Sequence, residues 1–203
     1  MRHSPTGCII LQASGGGVVR IVAFVMLCLA LGGCARDPYV TSDGETLDGN
    51  WYIAHQVDRV TGAELPSAVV FALASNTHAD YPRASQLQLT CLDGKPLVRF
   101  AFDFKIGNDR DSVLGYRFDD KPGHENVESR VLRDRQIILI EDPAALSQFM
   151  RELPGASKVY VRIRSMIAGR TAAEYDLEGS AAAIQAAFAS CPMPTPPRPK
   201  RTS

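Results

Sequence analysis

Three cysteines hold most of the chemistry available to this chain of 203 residues. Cys34 follows two glycines at the end of an apolar run, and a thiolate there is the one nucleophile suited to forming a thioether. Cys91 and Cys191 are two further thiols that oxidation could join into one bridge. The other reactive groups do not assemble. His55, His78 and His124 show no metal-ligand spacing with one another or with a cysteine. No serine sits in the G-x-S-x-G context of a nucleophile elbow, and Gly15 to Gly17 precede the apolar run instead of following a strand, so no phosphate loop is present. "NDRDS", Asn108 to Ser112, offers oxygen ligands but lacks the glycine and the distal glutamate of a calcium loop, and reads as a solvated turn. No catalytic residue, metal site or cofactor is therefore expected. A hydrolase is the alternative, and it needs carboxylates such as Asp103, Asp119 or Glu174 converging on His55 in a cleft.

The element that positions Cys34 is the stretch "RIVAFVMLCLALGGCA", Arg20 to Ala35. Its apolar run, Ile21 to Leu31, falls short of the roughly 20 residues a membrane-spanning helix requires, and suits the core of a secretory leader. Its end, Leu31-Gly32-Gly33-Cys34, resembles the bacterial lipoprotein box cut by signal peptidase II. That resemblance implies cleavage between Gly33 and Cys34, a diacylglyceryl group on the Cys34 thiol, and fatty acylation of the new amine. Several acyl chains anchor a protein stably where one binds marginally. The expected organisation is a signal peptide over 1–33 and a lipidated polar tether over 34–50. Because "MRHSPTGCIILQASGGGVV" is long and Gly-rich for a leader, translation is expected to begin near Val18 or Val19. Ala35 lacks the acidic residue that marks inner-membrane retention in enterobacterial lipoproteins, so the resemblance favours the outer membrane, facing the periplasm.

Cleavage of the leader removes Cys8 and Cys28, and lipid consumes Cys34. Cys91 and Cys191 remain, in a compartment where disulfides persist. Both fall on apolar faces: Leu87, Leu89 and Cys91 alternate along a strand, while Ile184, Ala187, Phe188 and Cys191 follow helical spacing. Two inward thiols can meet across a core, and the alternative is two buried free thiols.

The globular domain is expected over 51–191, followed by a Pro-rich tail over 192–203, "PMPTPPRPKRTS". Trp51, Ile53, His55 and Val57 alternate against Tyr52, Ala54, Gln56 and Asp58 as in a half-buried strand, with His55 on its inner side. "AVVFALAS" is apolar on both sides, as a central strand would be. Asp93-Gly94 separates two alternating runs and marks a hairpin, with Val98, Phe100, Phe102 and Phe104 facing the core. Further strands are expected at "SVLGYRFD", "VESRVLR", "QIILIE", "KVYVRIRS" and "AAEYDLEG". In "DPAALSQFMRELPG", Asp142 caps a helix that begins at Pro143 and carries the stripe Leu146, Phe149, Met150 and Leu153. Ser180 is expected to cap a final Ala-rich helix bearing Cys191. The fold class is α+β: an antiparallel meander of about seven to nine strands with two helices on one face or end, closed by a single disulfide.

Lys plus Arg equals Asp plus Glu at 22 each, so no net field draws the chain to nucleic acid. On the polar sheet face, Arg99, Arg117, Arg162 and Arg164 accompany Asp103, Asp119, Glu174 and Asp176. This is either a partner-binding face or a set of cross-strand charge pairs that solvate the sheet. The order Trp51, "TCLDGK", "YRFDD", a short helix, "AEYDLEG" and an Ala-rich helix ending at Cys191 resembles small proteobacterial envelope proteins, some associated with type VI secretion. The resemblance implies a non-enzymatic accessory or binding role, a terminal disulfide, a protein partner in the envelope and no catalytic residues. The expected contacts are thus membrane lipid through Cys34 and an envelope protein.

Overall fold

The structure, a computed structural model, describes residues 40–132 and 134–192. The expected leader, the lipidation of Cys34 and the tail beyond Pro192 lie outside these residues. The domain is α+β. Its strands are β1 (Val40–Asp48), β2 (Trp51–Asp58), β3 (Glu64–Asn76), β4 (Arg83–Leu92), β5 (Lys95–Phe102), β6 (Val113–Phe118), β7 (His124–Val127), β8 (Arg130–Val131), β9 (Ile137–Ile140), β10 (Lys158–Ser165) and β11 (Gly169–Asp176). The helices are α1 (Pro143–Glu152) and α2 (Ser180–Ala187).

Every pairing is antiparallel. Nine strands follow one another as β7-β6-β10-β11-β3-β4-β5-β9-β8, and the β1–β2 hairpin joins through β3. The meander runs from β2 to β5. The chain then crosses the end of the sheet, and β6 pairs with β10, five places from β5. Apolar alternation reports which face a residue occupies, not which strand lies beside it. The crossing is pinned by Ile106, buried in the core, whose N–H bonds to Arg135 O at 2.7 Å.

β3 spans the sheet because two strands share one of its sides. Tyr52↔Val69 belongs to the β2 pairing, and Ala173↔Ala74 to the β11 pairing. The junction between these two partners is closed by the β1–β2 turn. Asn50 N–H donates to Glu178 O at 2.9 Å, and the buried Trp51 indole donates to Leu177 O at 3.4 Å. Gly49 and Gly179 both have positive φ here, and a Cβ on Gly49 would sit 2.8 Å from Gly179 N, so only glycine fits. The sheet therefore begins earlier than the expected boundary at Trp51. Residues 40–48 lack an apolar face, and as an edge strand β1 gains its order from backbone pairing to β2.

Both helices cover the inner face. Asp142 caps α1, accepting from Ala144 N and Ala145 N at 3.0 and 2.9 Å, and Leu146, Phe149, Met150 and Leu153 are buried. Phe149 is the hub of the aromatic core, with ring centroids 4.9 Å from Tyr116, 5.0 Å from Phe118 and 6.0 Å from Phe100. The final helix differs from expectation at both ends. Gly179, with φ of 89°, occupies the cap position, while Ser180 is the first helical residue and donates to Leu153 O at 3.4 Å. Cys191 lies beyond the last helical residue, where its N–H bonds to Phe188 O at 3.1 Å. It forms the disulfide with Cys91, the Cα atoms 5.8 Å apart, tying the end of α2 to β4 across 100 residues of sequence.

Two further expectations change. "VESRVLR" is not one strand: β7 ends on its first residue, Val127, and the two-residue β8 lies within it. His55 is exposed, because the alternation of β2 ends at Ala54 where the strand leaves the core.

Candidate functional site

Among the described residues no helix lies on the outer face of the sheet, and its character is set by which residues alternate outward. In β10, Val159, Val161 and Ile163 are buried, so Tyr160, Arg162 and Arg164 face out. Register then builds three rows. Tyr160 lies between Arg117 and Glu174, Arg162 between Gly115 and Ala172, and Arg164 between Val113 and Arg170. The two small residues flanking Arg162 leave a depression, bounded on the far side by Leu73 and Ser75 of β3. The result is an open groove of about 930 Å³, a volume in the range of ligand-binding clefts.

Its charges are partly matched. Arg162 donates to Glu125 Oε1 at 2.5 Å, Arg164 stands 3.8 Å from the same carboxylate, and Lys158 pairs with Glu174. The Arg117 guanidinium lies over the Tyr160 ring, 5.0 Å from its centroid. Neither Arg117 nor Arg170 has a carboxylate within ion-pair distance among the described residues. The hydrogen bond from Arg162, then the charges of Arg162 and Arg164, hold the Glu125 carboxyl below its ordinary range. A lowered carboxyl pKa means this pairing is fully present at neutral pH and is lost as pH falls through that depressed midpoint. In a carbon-detected NMR titration, Glu125 should titrate below an exposed glutamate, and Arg162→Gln should move it back up. Coincident curves for the two proteins would show that the pair does not persist in solution.

Of the residues expected on this face, Arg117, Arg162 and Arg164 come together and Arg99 does not. Arg99 is on β5, four strand spacings from β10, at least about 19 Å away at ordinary strand separation. It donates to Gln88 Oε1 at 3.2 Å, and its Nε is buried without a partner. Arg170 completes the cluster instead. The alternation Arg170, Ala172, Glu174 announced it, but the strand was expected to start at Ala172. The apolar side of β3 is a second departure. Phe71 and Leu73 are 57% and 68% exposed. A continuous apolar run suggests burial on both faces, yet both helices lie inside, so the outer row of β3 is left bare. Tyr52 packs edge-on against Phe71 at 5.5 Å, and Leu47 lies opposite Tyr52 in the register.

The carboxylates of the hydrolase alternative do not converge on His55. Asp103 pairs with Arg83 at 3.1 Å. Asp119 accepts from Ser157 N and Lys158 N at 3.1 and 2.9 Å, Glu174 holds Lys158, and His55 lies opposite Pro66 at the other end of the sheet from Asp103. In the Asn108–Ser112 turn, Asn108 Oδ1 accepts from Arg110 N and Asp111 N at 2.9 and 3.2 Å, and Asp109 accepts from Val131 N at 2.8 Å. Those oxygens organise backbone.

One histidine cluster escaped the sequence reading. His124 on β7 has Glu152 Oε1 2.7 Å from Nε2 and Gln148 Nε2 2.9 Å from Nδ1. Gln148 and Glu152 are four apart on α1, the spacing that puts two side chains on one helix face. With both ring nitrogens engaged, the imidazole fastens the edge hairpin to α1 and has no nitrogen free for a substrate. Beside it, burial and then the Glu152 carboxylate push the Tyr116 phenol above its ordinary range, which keeps it neutral.

No family model matches the chain, and no curated protein matches it. Among solved structures, it is similar to invasion associated protein b from Bartonella henselae, with a TM-score of 0.46 and 11% identity over 72% of this chain and 97% of that one.

Proposed function

We propose that this chain is a lipid-anchored lipoprotein of the bacterial envelope that acts as a non-enzymatic binding module, displayed to the periplasm from the outer membrane. The observation that carries the binding role is the groove between β6 and β3, with two guanidiniums, Arg117 and Arg170, that no carboxylate among the described residues neutralises. A rigid, disulfide-tied sheet presents it. Among the described residues this face is uncovered and set by a paired sheet, and a preformed surface keeps the entropy cost of association low. The anchor rests on Leu31-Gly32-Gly33-Cys34. If Cys34 carries lipid, five residues separate it from Val40, so the sheet stands within about 20 Å of the bilayer, at the extended rise of the chain.

Two measurements in the native envelope test the proposal. Alkyne-palmitate should label the wild-type chain and not Cys34→Ser, and the variant should leave the membrane fraction. A photocrosslinking residue at Ser75, in the groove, should capture an envelope protein that the same probe at Asp93 does not. Arg117→Glu combined with Arg162→Glu should abolish that capture. Unlabelled wild type removes the anchor, and capture indifferent to the arginines removes the groove.

A further inference from the structure

We infer that the groove and the bare side of β3 form one continuous site for an extended polypeptide segment that carries acidic residues at one end and aromatic or aliphatic residues at the other. This deepens the binding role proposed above and rests on it. The site has two halves of different chemistry. Arg170 lies beyond Ser75 on the neighbouring strand β11, and Arg117 stands across the groove on β6, four residues back along the rows. Among the described residues neither has a carboxylate partner, while Glu125 and Glu174 are already engaged by Arg162 and Lys158. A carboxylate arriving past Ser75 therefore finds a free bidentate donor in Arg170, and one reaching across the groove finds Arg117, with little repulsion at either. Arg117 is also held in place by the Tyr160 ring, so it loses little side-chain freedom on binding.

The other half begins where the groove ends. Leu73 belongs to the groove wall, and Phe71 and Val69 follow it along the same side of β3, with Tyr52 against Phe71. Large apolar side chains so exposed in one row mark an interaction surface more often than chance scatter. On the opposite flank, β4 places Gln86 beside Phe71 and Gln88 beside Val69. Their amides can meet the backbone of a bound chain. From Val69 to Ser75 the row extends about 20 Å, which about six extended residues would cover.

Charge and shape both favour a polypeptide over an anionic polysaccharide, because a sugar polymer answers the arginines but leaves Phe71, Leu73 and Tyr52 in water. A basic or wholly apolar peptide leaves the two guanidiniums unanswered. The recognised segment is thus defined by two features at a fixed separation.

The full chain, purified in detergent, can be tested with a phage-displayed library of random dodecapeptides. Selection should enrich sequences that pair acidic residues with an aromatic or aliphatic cluster. A fluorescein-labelled peptide of the most enriched sequence should bind more weakly as salt rises. Arg170→Glu and Phe71→Asp should each weaken it by about ten-fold or more. Both positions are on the surface, and Leu73→Asp serves as a second apolar variant should Phe71→Asp melt early. Enrichment of basic or neutral sequences overturns the inference, as does an affinity indifferent to both variants. A parallel titration with oligogalacturonate, a carboxylate polymer without apolar groups, separates the two levels of the argument. Arg170-dependent binding of that polymer without peptide enrichment overturns the polypeptide assignment and leaves a binding module. Binding of neither probe overturns both.

Discussion

Replacing Phe149 with alanine is expected to destabilise the domain by about 3–5 kcal/mol, the range for removing a fully buried phenylalanine. The residue is 0% exposed and touches the rings of Tyr116, Phe118 and Phe100, which stand on β6 and β5, strands far apart in the sheet. The cavity left behind would be lined by rings anchored on strands, and such rings cannot collapse into it. Since domains of this size are typically stable by about 5–15 kcal/mol, the loss is a large share of the total. At about 2–4 °C per kcal/mol, thermal melts followed by circular dichroism should fall by roughly 6–20 °C. Phe71→Ala, on the exposed face, is the control and should stay within about 0.5 kcal/mol. A Phe149→Ala melt within a few degrees of wild type would mean that α1 is not seated on the aromatic core as described.

The second large effect is expected from the disulfide. Cys91 and Cys191 are separated by 100 residues. A loop of that length constrains the unfolded chain by up to about 4.7 kcal/mol in the entropic account, and measured losses for native disulfides run at about 2–5 kcal/mol. The bridge also holds the end of α2 against β4, where both sulfurs are buried. Reductant should therefore lower the melting temperature of the wild type, and Cys91→Ala with Cys191→Ala should melt at that reduced temperature with or without reductant. Intact mass after alkylation under non-reducing conditions provides the direct check: two alkyl groups on Cys91 and Cys191 would show that the bridge does not form.

Much of the scaffold was legible because local rules and tertiary structure agree. Asp93 and Gly94 have φ of 50° and 70°, the paired positive values a tight hairpin turn demands. Asp142-Pro143 starts α1, and its expected stripe is buried in full. Cys91 and Cys191 meet because each lies on an inward face. What could not be read was lateral position. Alternation placed Arg99 and Arg162 on the same face correctly, but nothing local says that β5 and β10 are four strands apart. The same gap hid the groove, which exists only because Gly115, Arg162 and Ala172 come into one row from three separate segments. Burial was legible only where a cover existed. "AVVFALAS" promised two buried faces and has one, because its hydrophobicity does not reveal where the helices lie. The His124 fastening depends on α1 lying over β7, a contact that no spacing around His124 announces.

β3 draws its neighbours on one side from opposite ends of the chain: β2 arrives just before it, and β11 long after. The Asn76 side chain, for instance, bonds to Thr171 Oγ1 at 2.8 Å across 95 residues. The hairpins β2–β3, β3–β4 and β4–β5 close short loops and can form as soon as they are made, whereas the upper half of β3 must wait for the last strand. Until then its amides and carbonyls stand open beside Phe71 and Leu73, a template on which another chain could add a strand. The topology thus makes docking of β11 onto β3 a long-range closure, expected to come late in folding. Truncating the chain before β11 would leave that template permanently open.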